Sequence, residues 1–236
     1  MNQSLHERLN RLCDALGGPI LSIDASTARA SVATVGFQPG FIEELEPDAK
    51  ALPSESLAAC VAEIFAQRSQ TPSDLAAFVV GLGPGSFTGL RVALALIKGL
   101  AYGAGVAVYG VSSLALLAAR RPSAEFEIRI DAQQAEIYAA AYRTDRDGLP
   151  STLLDDRLTT TEQWTHTLAD SGLDRLPRLN ETGLVPRALI GVILAESRLR
   201  RRDADNLEDL APRYLKGSEA ERALARKSDS AQNAKP

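Results

Sequence analysis

The stretch FVVGLGPGSFTGLRVALALIKGLAYGAGVAVYGVSSLALL, residues 78–117, decides the fold of this chain. An apolar run ends in Gly81 and leads into a glycine-rich loop that closes with Gly89. A helical pattern covers residues 90–102, and a second apolar run follows at 106–111. Strand, tight turn, helix and strand in this order predict a βαβ unit.

The glycine-rich loop fits neither of the common phosphate-binding motifs. A P-loop would need Lys-Ser/Thr after Gly89, where this chain has Leu90-Arg91, and a dinucleotide loop would need glycine in place of Thr88. Ser86 and Thr88 are candidate caps of the helix, whose free N–H groups would favour an anion. A plain strand-to-helix turn and a weak anion site both remain open.

Three segments in this region, GPGSFTGLR (83–91), KGLA (98–101) and GVSSL (110–114), resemble the TsaB (YeaZ) family in residue type and spacing. These glycoprotease-like proteins are the non-catalytic paralogues in bacterial threonylcarbamoyladenosine modification of tRNA. The segment PRYLK (212–216) resembles the close of the same family. The resemblance covers residues 20–145 well and is weak between 146 and 211.

Composition sets the broad class of the protein. With 45% apolar and 24% charged residues among 236, the chain can fill the core of one large or two small domains. A net charge of −4 argues against a protein that binds nucleic acid by itself through a general basic surface. Two cysteines offer no disulfide framework, and no apolar run predicts a signal peptide or a membrane span. We expect a soluble, cytoplasmic protein.

The predicted element order through residue 122 is β-β-β-α-β-α-β-α, the ribonuclease-H-like unit. A second copy begins at 126–131, where a strand ending in Asp131 echoes the strand that ends in Asp24. We therefore predict an α/β, actin-like ATPase (ASKHA) fold, a duplicated ribonuclease-H-like fold with a reduced second lobe. The expected parts are an N-terminal extension (1–18), a first lobe (19–122), a second lobe (123–216) and a disordered tail (217–236). The extension carries a leucine stripe, which leaves an added amphipathic helix and an artefact of start-codon choice both open.

Asp24 and Asp131 are the first candidates for chemistry. In the ATPase relatives, an acidic residue at this place in each half lies beside the bound phosphates and metal. The turns that follow here read DAST and DAQQ and lack the glycine that lets a phosphate approach the backbone. We therefore expect weak phosphate binding or none. The candidate weak nucleotide- or anion-binding residues are Asp24, Ser26, Thr27, Gly83, Gly85, Ser86 and Thr88.

Metal and nucleophile chemistry lack candidates. The catalytic paralogue of the resembled family binds metal through an HxxxH pair on a helix, whereas this chain has only His6 and His166. Ser86 does not lie in a GxSxG elbow. We expect no catalytic residue, no metal site and no activity by the chain alone. The run RLRRR (198–202) is read as a solvated helix end, with a contact to tRNA phosphate as the alternative.

The helix at 90–102 is apolar nearly all round, which predicts burial on more than one side. The resemblance implies that this helix and the one at 54–68 pack against the catalytic paralogue, or against a second copy of the chain when that partner is absent. Burial within the chain's own domain is the alternative. The expected interface residues are Leu57, Val61, Arg91, Ala93, Leu94, Ile97, Lys98 and Ala101.

The resemblance thus implies a non-catalytic scaffold subunit in the transfer of threonylcarbamoyl to the adenosine 3′ of the anticodon, in tRNAs that read ANN codons. Its expected partners are the TsaD-type catalytic paralogue, a small P-loop-type (TsaE-type) ATPase subunit and, through the complex, tRNA. No cofactor is expected to bind firmly, and ATP is used by the complex. The alternatives are an ATP-hydrolysing actin-like enzyme and a homodimeric regulator of another partner.

Overall fold

The computed structural model describes residues 3–36, 42–45, 53–179 and 187–213. The predicted tail at 217–236 lies outside these ranges. Through residue 118 the elements follow the predicted order, preceded by one helix. They are α1 (Gln3–Leu16), β1 (Ile20–Asp24), β2 (Ser31–Val35), β3 (Ile42–Leu45), α2 (Pro53–Arg68), β4 (Ala77–Gly81), α3 (Phe87–Ala104), β5 (Val108–Val111) and α4 (Ser113–Ala118).

The first lobe is built on a five-stranded sheet in the order β3-β2-β1-β4-β5. β1, β4 and β5 run parallel, with Ile20 opposite Ala77 and Phe78 opposite Val108, whereas β1, β2 and β3 pair antiparallel. The parallel pair β4–β5 joined by α3 is the predicted βαβ unit. α2 and α3 lie together on one face of the sheet and bury one core cluster there.

The second lobe is a three-stranded antiparallel sheet in the order β6-β7-β8. Its elements, with the helices that follow, are β6 (Glu125–Asp131), β7 (Glu136–Thr144), β8 (Pro150–Thr160), α5 (Thr161–Asp170) and α6 (Ala188–Arg201). α5 packs its buried Trp164 against this sheet, and the indole N–H donates to the buried carboxylate of Glu127. The mixed α/β arrangement confirms the predicted fold class, an actin-like fold with a reduced second lobe.

β8 was not predicted from the sequence. Its pairing with β7 has register shifts between Ala139 and Ala141 and between Ala141 and Tyr142. Such irregularities break the alternation of inward and outward side chains. The sequence LLDDRLTT of this strand accordingly shows no period of two.

α6 returns to the first lobe and covers the other face of the five-stranded sheet. Its first turn is held by β1, β2 and β3: the Ala188 N–H donates to Ser31 Oγ, the Leu189 N–H to Glu44 Oε1, and Ser22 Oγ donates to the Ala188 carbonyl. The Glu44 carboxylate suits the positive end of the helix dipole. Residue 122 lies between the two sheets, and α6, which falls within the range 123–216 given to the second lobe, packs on the sheet of the first.

The N-terminal extension forms α1 and completes the same layer. Leu5, Leu9 and Leu12 are buried in one core cluster with residues of α6 and the sheet. The Arg8 guanidinium contacts the Glu196 carboxylate of α6 at 2.6 Å. The structure thus favours the added amphipathic helix, which here is part of the first-lobe core.

α3 begins earlier than its apolar pattern predicts because Ser86 caps it, accepting a hydrogen bond from the Gly89 N–H at 3.2 Å. It ends at Gly105, whose φ of 68° needs glycine. By length and composition alone this 18-residue helix could cross a membrane, which the sequence reading did not foresee. Its inner face, however, is buried in the first-lobe core, as in a core helix of a soluble protein.

Candidate functional site

Asp24 lies at the carboxyl end of β1, where the fold's ATPase relatives would place a phosphate. Its side chain is fully buried, and both oxygens are occupied: Oδ1 accepts from the Ser26 N–H at 2.7 Å and Oδ2 from the Ser113 hydroxyl at 2.5 Å. Ser113 Oγ in turn accepts from the Gly83 N–H at 2.9 Å. Burial raises the pKa of Asp24, and these hydrogen bonds oppose the rise.

The glycine loop packs directly onto the turn after β1. The Ser86 N–H donates to the Ser26 carbonyl at 2.6 Å. A Cβ at Gly85 would lie 2.3 Å from that carbonyl oxygen, and one at Gly89 would lie 2.0 Å from the Ala25 carbonyl oxygen. The glycines therefore permit close contact between two segments of the chain's own backbone. The glycine loop thus fills the space beside the turn that follows Asp24.

The structure separates the predicted anion-binding residues. Asp24, Ser26 and Gly83 are buried, and their predicted role in anion binding stays a prediction. Thr27 is half-buried and its hydroxyl donates to the Arg29 carbonyl at 2.7 Å. Part of the loop stays accessible at the start of α3. Its residues are Gly85, Ser86 and Thr88.

Asp131 does not repeat the environment of Asp24. It is exposed at the end of β6, and its Oδ1 accepts from the Gln133 N–H at 2.8 Å, a bond within its own turn. Among the residues that the structure describes, no group of three or more His, Cys, Asp or Glu side chains could hold a metal ion. The two lobes thus do not present a matched pair of accessible carboxylates.

The arginine run at the end of α6 is largely engaged in ion pairs. Arg198 contacts Asp205 at 2.9 Å, Arg200 contacts Glu196 at 2.8 Å, and Arg201 lies 3.9 Å from Asp203. Arg198 also donates to the Gly110 carbonyl and thereby ties the chain after α6 to β5. These contacts favour a structural role for Arg198.

Asp24→Asn is expected to flatten the pH dependence of stability. Because burial raises the folded pKa of Asp24 above its ordinary value of 3.8, the folded state holds a proton that the unfolded state has lost. The free energy of unfolding therefore falls as pH rises from 3.8 to the folded pKa, by about 1.4 kcal/mol per unit of pKa difference. Urea unfolding from pH 4 to 8 measures this decline. Asp131→Asn, at an exposed position, is the matched control, and an unchanged decline in Asp24→Asn would contradict the burial argument.

Most of the predicted interface residues face the core. Helical geometry turns one side of α2 and of α3 toward the sheet, and six of the eight residues lie on that side, buried within the chain's own domain. A contact of α2 and α3 with a partner stays a prediction. The six buried residues are Leu57, Val61, Ala93, Leu94, Ile97 and Ala101. Lys98 is half-buried, and its Nζ donates to the carbonyls of Glu208 and Leu210 at 3.2 and 3.1 Å.

The opposite side of α3 is apolar and exposed, and we call it the α3 outer face. Phe87 and Tyr102, at its two ends, are 49% and 84% exposed, and the Arg91 guanidinium lies 3.9 Å from the Phe87 ring centroid. Between them run small residues at a spacing of four, which leave the backbone open to close approach. The α3 outer face comprises Phe87, Arg91, Ala95, Gly99, Tyr102 and Gly103.

α2, which packs against α3, exposes four alanines, Ala58, Ala59, Ala62 and Ala66, together with Glu63 and Gln67. Small exposed residues on two neighbouring helices permit another helix pair to approach closely. The sequence indicates where the α3 outer face lies. The charged residue Arg91 is expected to be exposed, and the residues one, two and three helical turns further on, Ala95, Gly99 and Tyr102, are exposed with it.

Comparisons with known proteins agree with this architecture. The family model described as "TsaD: tRNA N6-adenosine threonylcarbamoyltransferase" matches residues 47–164, half of the chain. The Escherichia coli "tRNA threonylcarbamoyladenosine biosynthesis protein TsaB" is 34% identical over 137 residues, which are 55% of this chain and 57% of that protein. The Bacillus subtilis protein of the same name is 27% identical, over 64% of this chain and 73% of its own.

A solved structure shares most of the architecture. A Pseudomonas aeruginosa protein described as similar to peptidase YEAZ superposes with a TM-score of 0.69 at 25% identity, covering 84% of this chain and all of its own. The match to the E. coli protein spans a little over half of that relative's length. The family model, the curated relatives and the shared fold converge with the motifs of the glycine loop. The chain belongs to the TsaB/YeaZ family, within the wider family of the TsaD threonylcarbamoyltransferases.

Proposed function

We propose that this chain is a non-catalytic subunit of the machinery that attaches threonylcarbamoyl to the adenosine 3′ of the anticodon in tRNAs reading ANN codons. Membership of the TsaB/YeaZ family supports the pathway. The sealed environment of Asp24 supports the absence of catalysis in this chain, because both carboxylate oxygens are taken by the chain's own donors.

Two features together support the proposal: the turn after Asp24 is covered by the glycine loop, and the α3 outer face is exposed. The glycine loop fills the space beside that turn, while the α3 outer face exposes Phe87 and Tyr102. An exposed apolar surface beside a closed turn favours a role through a partner protein.

The partner that we assign to this face is the metal-binding catalytic paralogue, which would supply the metal and the reactive intermediate. A related helical contact joins two copies of this chain when the paralogue is absent. A small P-loop-type ATPase subunit completes the set, and ATP is consumed by the complex. With a net charge of −4, this chain meets tRNA through the complex, in the cytoplasm.

The test is reconstitution with the catalytic paralogue from the same source, followed by light scattering and by assay of threonylcarbamoyladenosine formation on tRNA. We expect a heterodimer that replaces the homodimer, and modification that needs both chains and the ATPase subunit. Absence of a complex at micromolar concentrations, with the ATPase subunit and nucleotide present, overturns the proposal. Nucleotide turnover by the isolated chain that disappears in Asp24→Asn would instead support the actin-like ATPase.

A further inference from the structure

The two lobes meet at α4, a single short helix whose six residues are all buried. It follows β5 of the first sheet directly in the chain. Leu114, Leu117 and Ala118 lie in a core cluster with β6 and β7, whereas Leu116 lies in the cluster beneath α6. α4 is therefore a wedge with one apolar side in each lobe.

Two neighbouring serines at the start of this wedge bind one carboxylate from each lobe. Ser112 Oγ donates to Asp156 Oδ2 of β8 at 2.5 Å, and the Tyr142 hydroxyl donates to Asp156 Oδ1 at 2.5 Å. Ser113 Oγ donates to Asp24 of β1 at 2.5 Å. Adjacent residues thus contact the first lobe and the second lobe through hydrogen bonds to carboxyl groups.

We infer that Ser112 and Ser113 form a clasp that fixes the two lobes in one orientation. The partners lie far apart in the chain, Ser113 being 89 positions from Asp24 and Ser112 44 positions from Asp156, so the bonds constrain tertiary arrangement rather than local structure. The same Ser112 hydroxyl accepts from the Ala115 N–H and caps α4, so a change in the lobe contact also reaches the helix start.

The clasp extends to the glycine loop that begins α3. The Ser113 N–H donates to the Gly83 carbonyl at 2.9 Å, and the Gly83 N–H donates to Ser113 Oγ at 2.9 Å. Both the N–H and the carbonyl of Gly83 are therefore hydrogen-bonded to Ser113. The position of the second lobe and the position of the loop before α3 are consequently set by the same dipeptide.

The isolated chain allows a direct test with spin labels on the two lobes. Ala15→Cys on α1 and Ala169→Cys on α5 place labels at exposed positions outside the α2–α3 surface, in a Cys60→Ala background, and dilution with unlabelled protein removes distances between copies. Cys13 can remain, because it is buried and burial raises the pKa of its thiol to about 12, which suppresses labelling. We expect pulsed electron paramagnetic resonance to give a single narrow distance distribution for the chain with its clasp intact. A broad distribution in that protein overturns the inference without any further variant.

Asp156→Asn opens one side of the clasp with little change of shape. The amide offers one acceptor oxygen where two hydroxyls now donate, while Ser112 keeps its cap on α4. We expect the distance distribution to become about twofold broader, as for lobes released at a hinge. Asp155→Asn, at the neighbouring exposed position of β8, is the matched control and should leave it unchanged. If Asp156→Asn stays folded with a distribution as narrow as that of the control, the two lobes are not held by this clasp.

Discussion

Ala95→Arg is expected to abolish association through the α3 outer face while the monomer stays folded. Ala95 is exposed at the centre of the face, between Arg91 and Gly99. An arginine there would hold a charged side chain where a partner helix must approach closely, and would leave that charge desolvated in the contact. We expect the Kd for the catalytic paralogue, and for self-association, to rise at least about 100-fold, as at the centre of an interface. Light scattering on mixtures across a concentration series measures both.

Ala93→Arg is the matched comparison, on the same helix and with the same chemical change. Ala93 has no exposed surface and lies in the first-lobe core. An arginine at this position must bury a charge or displace the helix, so we expect loss of the folded monomer. A folded Ala93→Arg monomer would contradict the assignment of the inner face. A complex that survives Ala95→Arg unaltered would place the interface elsewhere.

The contrast between Ala93 and Ala95 shows where sequence reasoning stops. The extent and amphipathic character of α2 and the βαβ order around α3 follow from local signals, namely apolar period, glycine turns and the caps Ser86 and Ser112. α3, however, is apolar nearly all round. Its pattern therefore does not say which side meets the sheet, and that choice is made by packing against residues distant in the chain.

The interpretation of Asp24 depended on distant residues in the same way. The turn DAST predicted a poor phosphate site, because it lacks glycine. The actual closure involves Ser113 and Gly83, which approach Asp24 because β4 and β5 pair beside β1. The first turn of α6 is likewise held on the first sheet by hydrogen bonds with residues distant in the chain: Ser22 donates, and Ser31 and Glu44 accept. No pattern of adjacent residues encodes such contacts.

Leu9→Ala is expected to destabilise the whole first lobe, because α1 is part of its core. Leu9 has no exposed surface and lies in the cluster shared with α6 and the five-stranded sheet. Removing a fully buried leucine side chain costs about 3 kcal/mol in the free energy of unfolding, since the helix cannot close the cavity completely. For a chain of this length that loss corresponds to a Tm lower by roughly 10 °C. Thermal and urea unfolding of the isolated chain measure the change.

Arg11→Ala is the control, because Arg11 lies two residues from Leu9 on the opposite, exposed side of the same helix. It separates the effect of losing a buried side chain from the effect of substituting alanine in the helix. Arg11 is exposed, and its contact with Glu7 at 3.7 Å is a surface ion pair, so we expect a change below about 0.5 kcal/mol. Equal effects of the two substitutions would mean that α1 is not packed on α6. A large effect of Leu9→Ala alone would show that residues 3–16 complete the first-lobe core, because α1 then contributes buried surface that the sheet and α6 cannot supply by themselves.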